Sequence, residues 1–274
     1  MRVVTRVSPV LLLLVGACAA ADSRAEVSPP PLVRVVATGM TFTAPSRIDG
    51  GRVRVRLVNE GEAWHEVLIT RLPPGTSVQD YLAGARAGED FPAAAVDHGG
   101  PGIVAPGDSS EVVLDLAAGE YAIVCWTDNH VMAGMIAPLA VSDRPAAPAD
   151  VPQQPVADGA IALQEFAFTH AEPLRPGPQV IRVRNEGQRP HDLALYRLAP
   201  GRTLQDFGVW YATREGPAPA TPIGGTSTLA PGRTVWLPLS LTPGHYFMAC
   251  GTPEGDQIHA QLGMIEEFEI RGAD

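Results

Sequence analysis

A chain that carries one series of motifs twice is expected to fold as two copies of one unit, and this chain does so. NEGEAWHEVLITRLPPGTSVQDYL (Asn59–Leu82) aligns with NEGQRPHDLALYRLAPGRTLQDFG (Asn185–Gly208) at an offset of 126 residues. APGDSSEVVLDLAAGEYAIVC (Ala105–Cys125) aligns with APGRTVWLPLSLTPGHYFMAC (Ala230–Cys250) at 125. The pairs Gly134–Met135 and Gly263–Met264 follow at 129, so the second copy is four residues longer between its cysteine and its closing Gly-Met. A length of 274 residues suits two domains of ordinary size. Between the copies, DRPAAPADVPQQPVADG is proline-rich and polar, as a semi-rigid linker is. The expected boundaries are a leader and tether over 1–31, a first domain over 32–142, a linker over 143–158 and a second domain over 159–272.

Within each copy the apolar residues have the period of strands. RVRVRLVN (Arg52–Asn59) alternates polar and apolar side chains, as a half-buried strand must, and QVIRVRN repeats the pattern. The 28 glycines and 27 prolines supply turns and interrupt helices. Helical segments are expected only at SVQDYLAGAR and TLQDFGVWYAT, each opened by a hydroxyl residue suited to capping. The expected fold is all-β: two Greek-key β-sandwiches in tandem, each with a short helical insertion.

The first residues read as an export signal, with Arg2 and Arg6 before the apolar run Val10–Val15 and small residues after it. VGAC (Val15–Cys18) is similar to a bacterial lipobox, which makes Cys18 a lipidation candidate; ordinary cleavage after Ala19–Ala21 is the alternative. Either route places the protein in the periplasm or cell envelope, with membrane contact only through such an anchor. The formal charge is −10, and every basic residue is arginine. No basic face for nucleic acid is evident. The acidity would suit a cationic redox partner such as a cytochrome, or serve solubility alone.

Apart from Cys18 the cysteines are Cys125 and Cys250, and an oxidising compartment makes a disulfide between them the default. They occupy the same position in two copies of one fold, which argues against that bond, because bridging needs Cα atoms within about 7 Å. In each copy a histidine follows NEG (His65, His191), then Gly-x-Tyr-x-x-x-Cys (Cys125, Cys250), a second histidine (His130, His259) and Gly-Met (Met135, Met264). Two imidazoles, a thiolate and a weak thioether suit copper in both oxidation states. Taken singly, each of these residues reads as packing, and the Gly-x-Tyr-x-x-x-Cys as a tyrosine corner with a core cysteine.

These residues, in this order, resemble the ligand pattern of cupredoxins, the type 1 blue copper proteins, once per copy and over nearly all of the expected mature chain. The spacing Cys-x4-His-x4-Met looks like that of rusticyanin. Cys-x8-His-x4-Met looks like the type 1 site of copper nitrite reductases. The resemblance implies one copper per domain, held by His65, Cys125, His130 and Met135 and by His191, Cys250, His259 and Met264, with electrons entering at surface edges of His130 or His259. Glu66 and Asp192 stand where many members have Asn; only their backbone N–H need reach the sulfur, and a nearby carboxylate would lower the potential. Met132 competes with Met135 as axial ligand, and the long second loop places Glu254 and Asp256 near its site.

Additional copper sites of the oxidase and reductase kind would need histidines flanking the cysteines and His-x-His pairs, and neither occurs. His98, His170 and His245 read as exposed loop residues. The expectation is a one-electron carrier, not an enzyme. The alternatives are a copper-sequestering protein, or a metal-free β-sandwich module for binding or scaffolding.

Overall fold

The computed structural model describes residues 29–89, 94–143 and 154–272. The leader, Cys18 and most of the linker lie outside the described residues. The first copy contains β1 (Leu32–Thr38), β2 (Thr41–Thr43), β3 (Arg47–Asp49), β4 (Gly51–Asn59), β5 (Leu68–Arg71), α1 (Val78–Arg86), β6 (Val96–Asp97), β7 (Ser109–Leu116), β8 (Gly119–Val124) and β9 (Ile136–Ser142). The second contains β10 (Gly159–Gln164), β11 (Ala167–His170), β12 (Gly177–Asn185), β13 (His191–Leu198), α2 (Leu204–Thr213), β14 (Ala220–Leu229), β15 (Thr234–Leu241), β16 (Gly244–Ala249), β17 (Pro253–Glu254), β18 (Gln257–Ile258) and β19 (Ile265–Ile270).

Each copy is a β-sandwich. In the first, β2-β1-β4-β7 faces β3-β9-β8-β5-β6; in the second, β11-β10-β12-β15 faces β14-β13-β16-β19. The alternation read in the sequence is realised in β4, where Val53, Val55 and Leu57 are buried and Arg52, Arg54 and Arg56 face outward. One contiguous apolar core runs through both sandwiches. The expected helices form with full capping boxes, Ser77 with Asp80 and Thr203 with Asp206, each satisfying two end groups that a helix start leaves open. Tyr121 and Tyr246 each donate to a carbonyl four residues upstream, Ala117 and Thr242, at 2.9 and 2.7 Å. The tyrosine corner and the cysteine that follows it are parts of one motif rather than rival readings. Among the described residues no helix is long and apolar enough to cross a membrane.

The two copies meet along a symmetric seam. The 98–104 segment runs antiparallel to β14, with His98 opposite Leu229, Pro101 opposite Thr226 and Val104 opposite Ile223. At the offset of 125, Ile223 is the counterpart of His98 and Leu229 of Val104, so a pseudo-two-fold axis passes by Pro101 and Thr226. The outer sheets join at Trp236 and Val113, making one eight-stranded sheet across both copies. Glycine permits the close approach: a Cβ on Gly100 would lie 2.1 Å from the Val67 carbonyl oxygen, and one on its counterpart Gly225 would lie 1.8 Å from that of Leu193.

His98 is therefore no exposed loop residue. It is buried in the seam, donates its backbone N–H to Ile69 and sets its ring edge-on to Tyr121; burial holds its imidazole down to about 4. His170 lies on β11, half-buried, 3.0 Å from the Glu266 carboxylate. His245 is exposed, but on β16.

Asp97, at the start of the seam, is buried beside Thr70, and desolvation pushes its carboxyl up to about 7. Its folded value exceeds the unfolded 3.8, so the folded state binds the extra proton. The contribution of this group to stability is fully present below about pH 4 and is lost as pH rises toward 7. Asn has no proton to lose, so Asp97→Asn is expected to stabilise the protein more near pH 8 than near pH 5, by about 2 kcal/mol in urea unfolding. An equal effect at both pH values would refute the burial cost.

Candidate metal centres

Asn59 and Asn185 set each first histidine. Both are buried; Asn59 Nδ2 donates to Ala63 and Val104 carbonyls while its Oδ1 accepts from Gly61 N, and Asn185 makes the same three bonds with Arg189, Leu229 and Gly187. The NEG turn is thereby stapled to the sandwich just before His65 and His191. The other donors come from the loop after β8 or β16. In the first copy Cys125 N donates to Met135 O, Val131 N to Cys125 O and Met135 N to His130 O. In the second, Cys250 N donates to Met264 O, Ala260 N to Cys250 O and Met264 N to His259 O. The frame of cysteine, histidine and methionine is the same in both. The four additional residues leave it as the small hairpin β17-β18, turned at Gly255.

The result is two buried triads, His65–Cys125–His130 and His191–Cys250–His259, whose ligand atoms lie within 4.8 Å of one another. In the first, Cys125 Sγ is 3.8 Å from His65 Nδ1 and 3.5 Å from His130 Nδ1. In the second, Cys250 Sγ is 3.9 Å from His191 Nδ1 and 3.4 Å from His259 Nδ1, and the two nitrogens are 2.9 Å apart. Metal bonds of roughly 2.0 Å to nitrogen and 2.3 Å to sulfur, about 110–120° apart, would separate N and S donors by about 3.5–3.7 Å. The donor sets fit one ion each.

Met135 and Met264 are fully buried in the same core as the cysteines, whereas Met132 packs with the cluster under α1. That placement separates the two axial candidates. Both free cysteines are buried and unbridged. Burial pushes the Cys125 thiol up to about 12 and raises Cys250 as well, while burial holds His65 and His191 down to about 4. The imidazoles are thus neutral and ready to ligate at physiological pH, and a cation beside the sulfur would stabilise the thiolate that burial disfavours.

The residue after each first histidine supports the sulfur in two ways. Asp192 N–H donates to Cys250 Sγ at 3.3 Å, and Glu66 N–H to Cys125. Their carboxylates grip the cysteine loop: Glu66 accepts from Trp126 N at 3.2 Å, and Asp192 from Gly251 N at 3.0 Å and Thr252 Oγ1 at 2.9 Å. Burial, and then the Asp192 charge, push the Glu66 carboxyl up to about 7; burial raises Asp192 too. Of the second-loop acids, only Glu254 comes close, 3.5 Å from His259 Nε2, while Asp256 is exposed.

Neither second histidine lies at an open surface. His259 is fully buried beneath the Phe166 ring, whose centroid is 5.1 Å from its own, and His130 keeps 8% exposure. Phe166, in the turn before β11, and Glu254, on the additional hairpin, enclose the His259 ring from two sides.

Two sandwiches with His, Cys and His converging at one end, and a buried Met on the same loop, have one architectural reading. The fold is that of two cupredoxin-like β-sandwiches in tandem. No family model matches the sequence, and no curated protein matches it. Among solved structures it is similar to dithionite-reduced auracyanin from the photosynthetic bacterium Roseiflexus castenholzii, at 17% identity, over 42% of this chain and 99% of that one, with a TM-score of 0.29. Over both cupredoxin-like domains it is similar to a multicopper oxidase, at 15% identity, 88% of each chain and a TM-score of 0.26. A copper nitrite reductase from Nitrosomonas europaea matches at 16% identity, over 89% of this chain and 83% of that one, with a TM-score of 0.25. At these scores the fold assignment rests on strand order and donor geometry, not on the matches. The expectation that the chain is not an enzyme is corrected by them: the neighbours spanning both domains include an oxidase and a reductase. A fold shared by carriers and enzymes does not by itself exclude catalysis.

Proposed function

We propose that each domain binds one copper in a type 1-like site and that the protein passes single electrons in the cell envelope. His65, Cys125 and His130 would hold the first copper with Met135 as weak axial ligand; His191, Cys250, His259 and Met264 would hold the second. The observation that carries this reading is the pair of buried His/Cys/His triads with N–S separations of 3.4–3.9 Å. Copper, when bound, supplies a one-electron couple. The protein's part is to fix the donors: stapled turns and a backbone-bonded loop hold them, which limits rearrangement when the metal changes charge.

Electrons would enter at the first site, where His130 is slightly less enclosed than His259, and a small cytochrome is the expected type of partner. The enclosed His259 favours slower exchange at the second site, which is where a copper-retaining role would reside. Export by the N-terminal signal, with or without lipidation at Cys18, belongs to the same proposal. Purified protein loaded with copper is expected to hold two ions per chain by elemental analysis and to show an intense visible thiolate-to-copper band. A colourless, metal-free product after loading would end this reading.

A further inference from the structure

Between the two domains lies a cavity of about 590 Å3, within the size range of small-molecule sites. We propose that it binds a small organic cation, an amine carried on an apolar or aromatic body. Its walls come from both copies: Trp64 on one side, Tyr196, Phe207 and Tyr211 on the other, with Glu66 and Asp192 facing inward from equivalent positions about the pseudo-two-fold axis. Trp64 stacks obliquely on Tyr196 at 6.1 Å, which joins the aromatic walls into one surface.

The charged lining is predominantly acidic: Glu66, Asp97, Asp128 and Asp192 against Arg214. Among the described residues neither Glu66 nor Asp192 pairs with an arginine; backbone N–H groups, the Thr252 hydroxyl and the Cys250 thiol donate to them. Arg214 also lines the cavity but is already paired: it bridges to Asp128, another lining residue, at 2.7 Å and lies over the Trp210 and Tyr211 rings at 4.7 and 4.5 Å. Carboxylates that lack a counter-charge beside aromatic faces are complementary to an ammonium group, which gains charge-assisted hydrogen bonds and cation–π attraction together. A metal ion fits less well. Among the described residues the His/Cys/His triads are the sets of three donors that converge closely enough for one.

The Asp128–Arg214 pair ties the first copy to the second across the mouth. Asp128, Asn129 and Arg214 have left-handed backbones, with φ of 47, 60 and 56°. Because Glu66 and Asp192 also grip the two cysteine loops, an occupant would be felt at both metal centres.

The site is independent of the copper assignment, and its test uses the full-length, metal-free protein. Calorimetric titration at mildly alkaline pH would compare phenethylamine with its neutral analogue phenylethanol and its anionic analogue phenylacetate. The amine is expected to bind at least about tenfold more tightly than the alcohol, as a charge-assisted bond implies, and the acid not at all. The Glu66→Gln, Asp192→Asn double variant keeps one acceptor oxygen per side chain for the Trp126 and Gly251 N–H groups, leaves the Thr252 hydroxyl to turn and accept from the new amide, and should lose that preference. Equal binding of the three compounds, no binding of the amine, or an undiminished preference in a folded double variant would overturn the proposal.

Discussion

Replacing Cys125 with serine is expected to remove about half of the copper-linked visible absorption, replacing Cys250 the other half, and the double replacement all of it. The reason is geometric. Each sulfur is the soft donor of its triad, 3.4–3.9 Å from two imidazole nitrogens, and the intense band comes from charge transfer out of thiolate sulfur. Serine keeps the size and the backbone bonds of Cys125 N to Met135 O and Cys250 N to Met264 O, so the fold should survive. Copper counts and circular dichroism on the same samples separate a lost ligand from a lost domain. Full colour in both single variants, with copper retained, would remove the ligand assignment.

Gly225→Ala is expected to be the most damaging single methyl group in the molecule. Gly225 has φ +111°, and its added Cβ would sit 1.8 Å from the carbonyl oxygen of Leu193, two residues after His191. That oxygen belongs to the backbone of β13 and cannot rotate away. Relief requires β14 to leave β13, which opens the seam and shifts His191. A cost above about 3 kcal/mol in denaturant unfolding is expected, with selective loss of the second copper. Gly208→Ala is the control: Gly208 lies within α2 with no atom within 4 Å of the added carbon, and alanine there should stabilise by up to about 1 kcal/mol. Equal effects from the two substitutions would refute the close approach.

Much of this was legible because duplication allows a sequence to be read twice. Two-residue alternation marked β4 and β12, hydroxyl residues before acidic ones marked the helix starts, and the repeated order of His, Cys and His marked the residues that converge in each triad. What escaped depends on how the copies pack. His98 reads as a polar loop residue because its burial comes from the other copy, across a seam with no local period. The signal was present in Gly99–Gly100 and Gly224–Gly225, matched pairs at the offset of 125, but glycines in tandem read first as turns. Likewise the spacing placed Glu66 and Asp192 beside the sulfurs and could not tell that both face a shared cavity. The enclosure of His259 was hidden for a related reason: Phe166, which packs against its ring, lies 93 residues earlier in the chain.

The pseudo-two-fold seam carries a wider implication. Two separate identical chains meeting on such an axis would have to accept every change twice, once on each side. Joined in one polypeptide, they are released from that constraint, and the cavity walls record it: Trp64 corresponds to Pro190, and Asp97 to Pro222. Each wall can be altered without its mirror image, so a lopsided chamber becomes reachable one residue at a time.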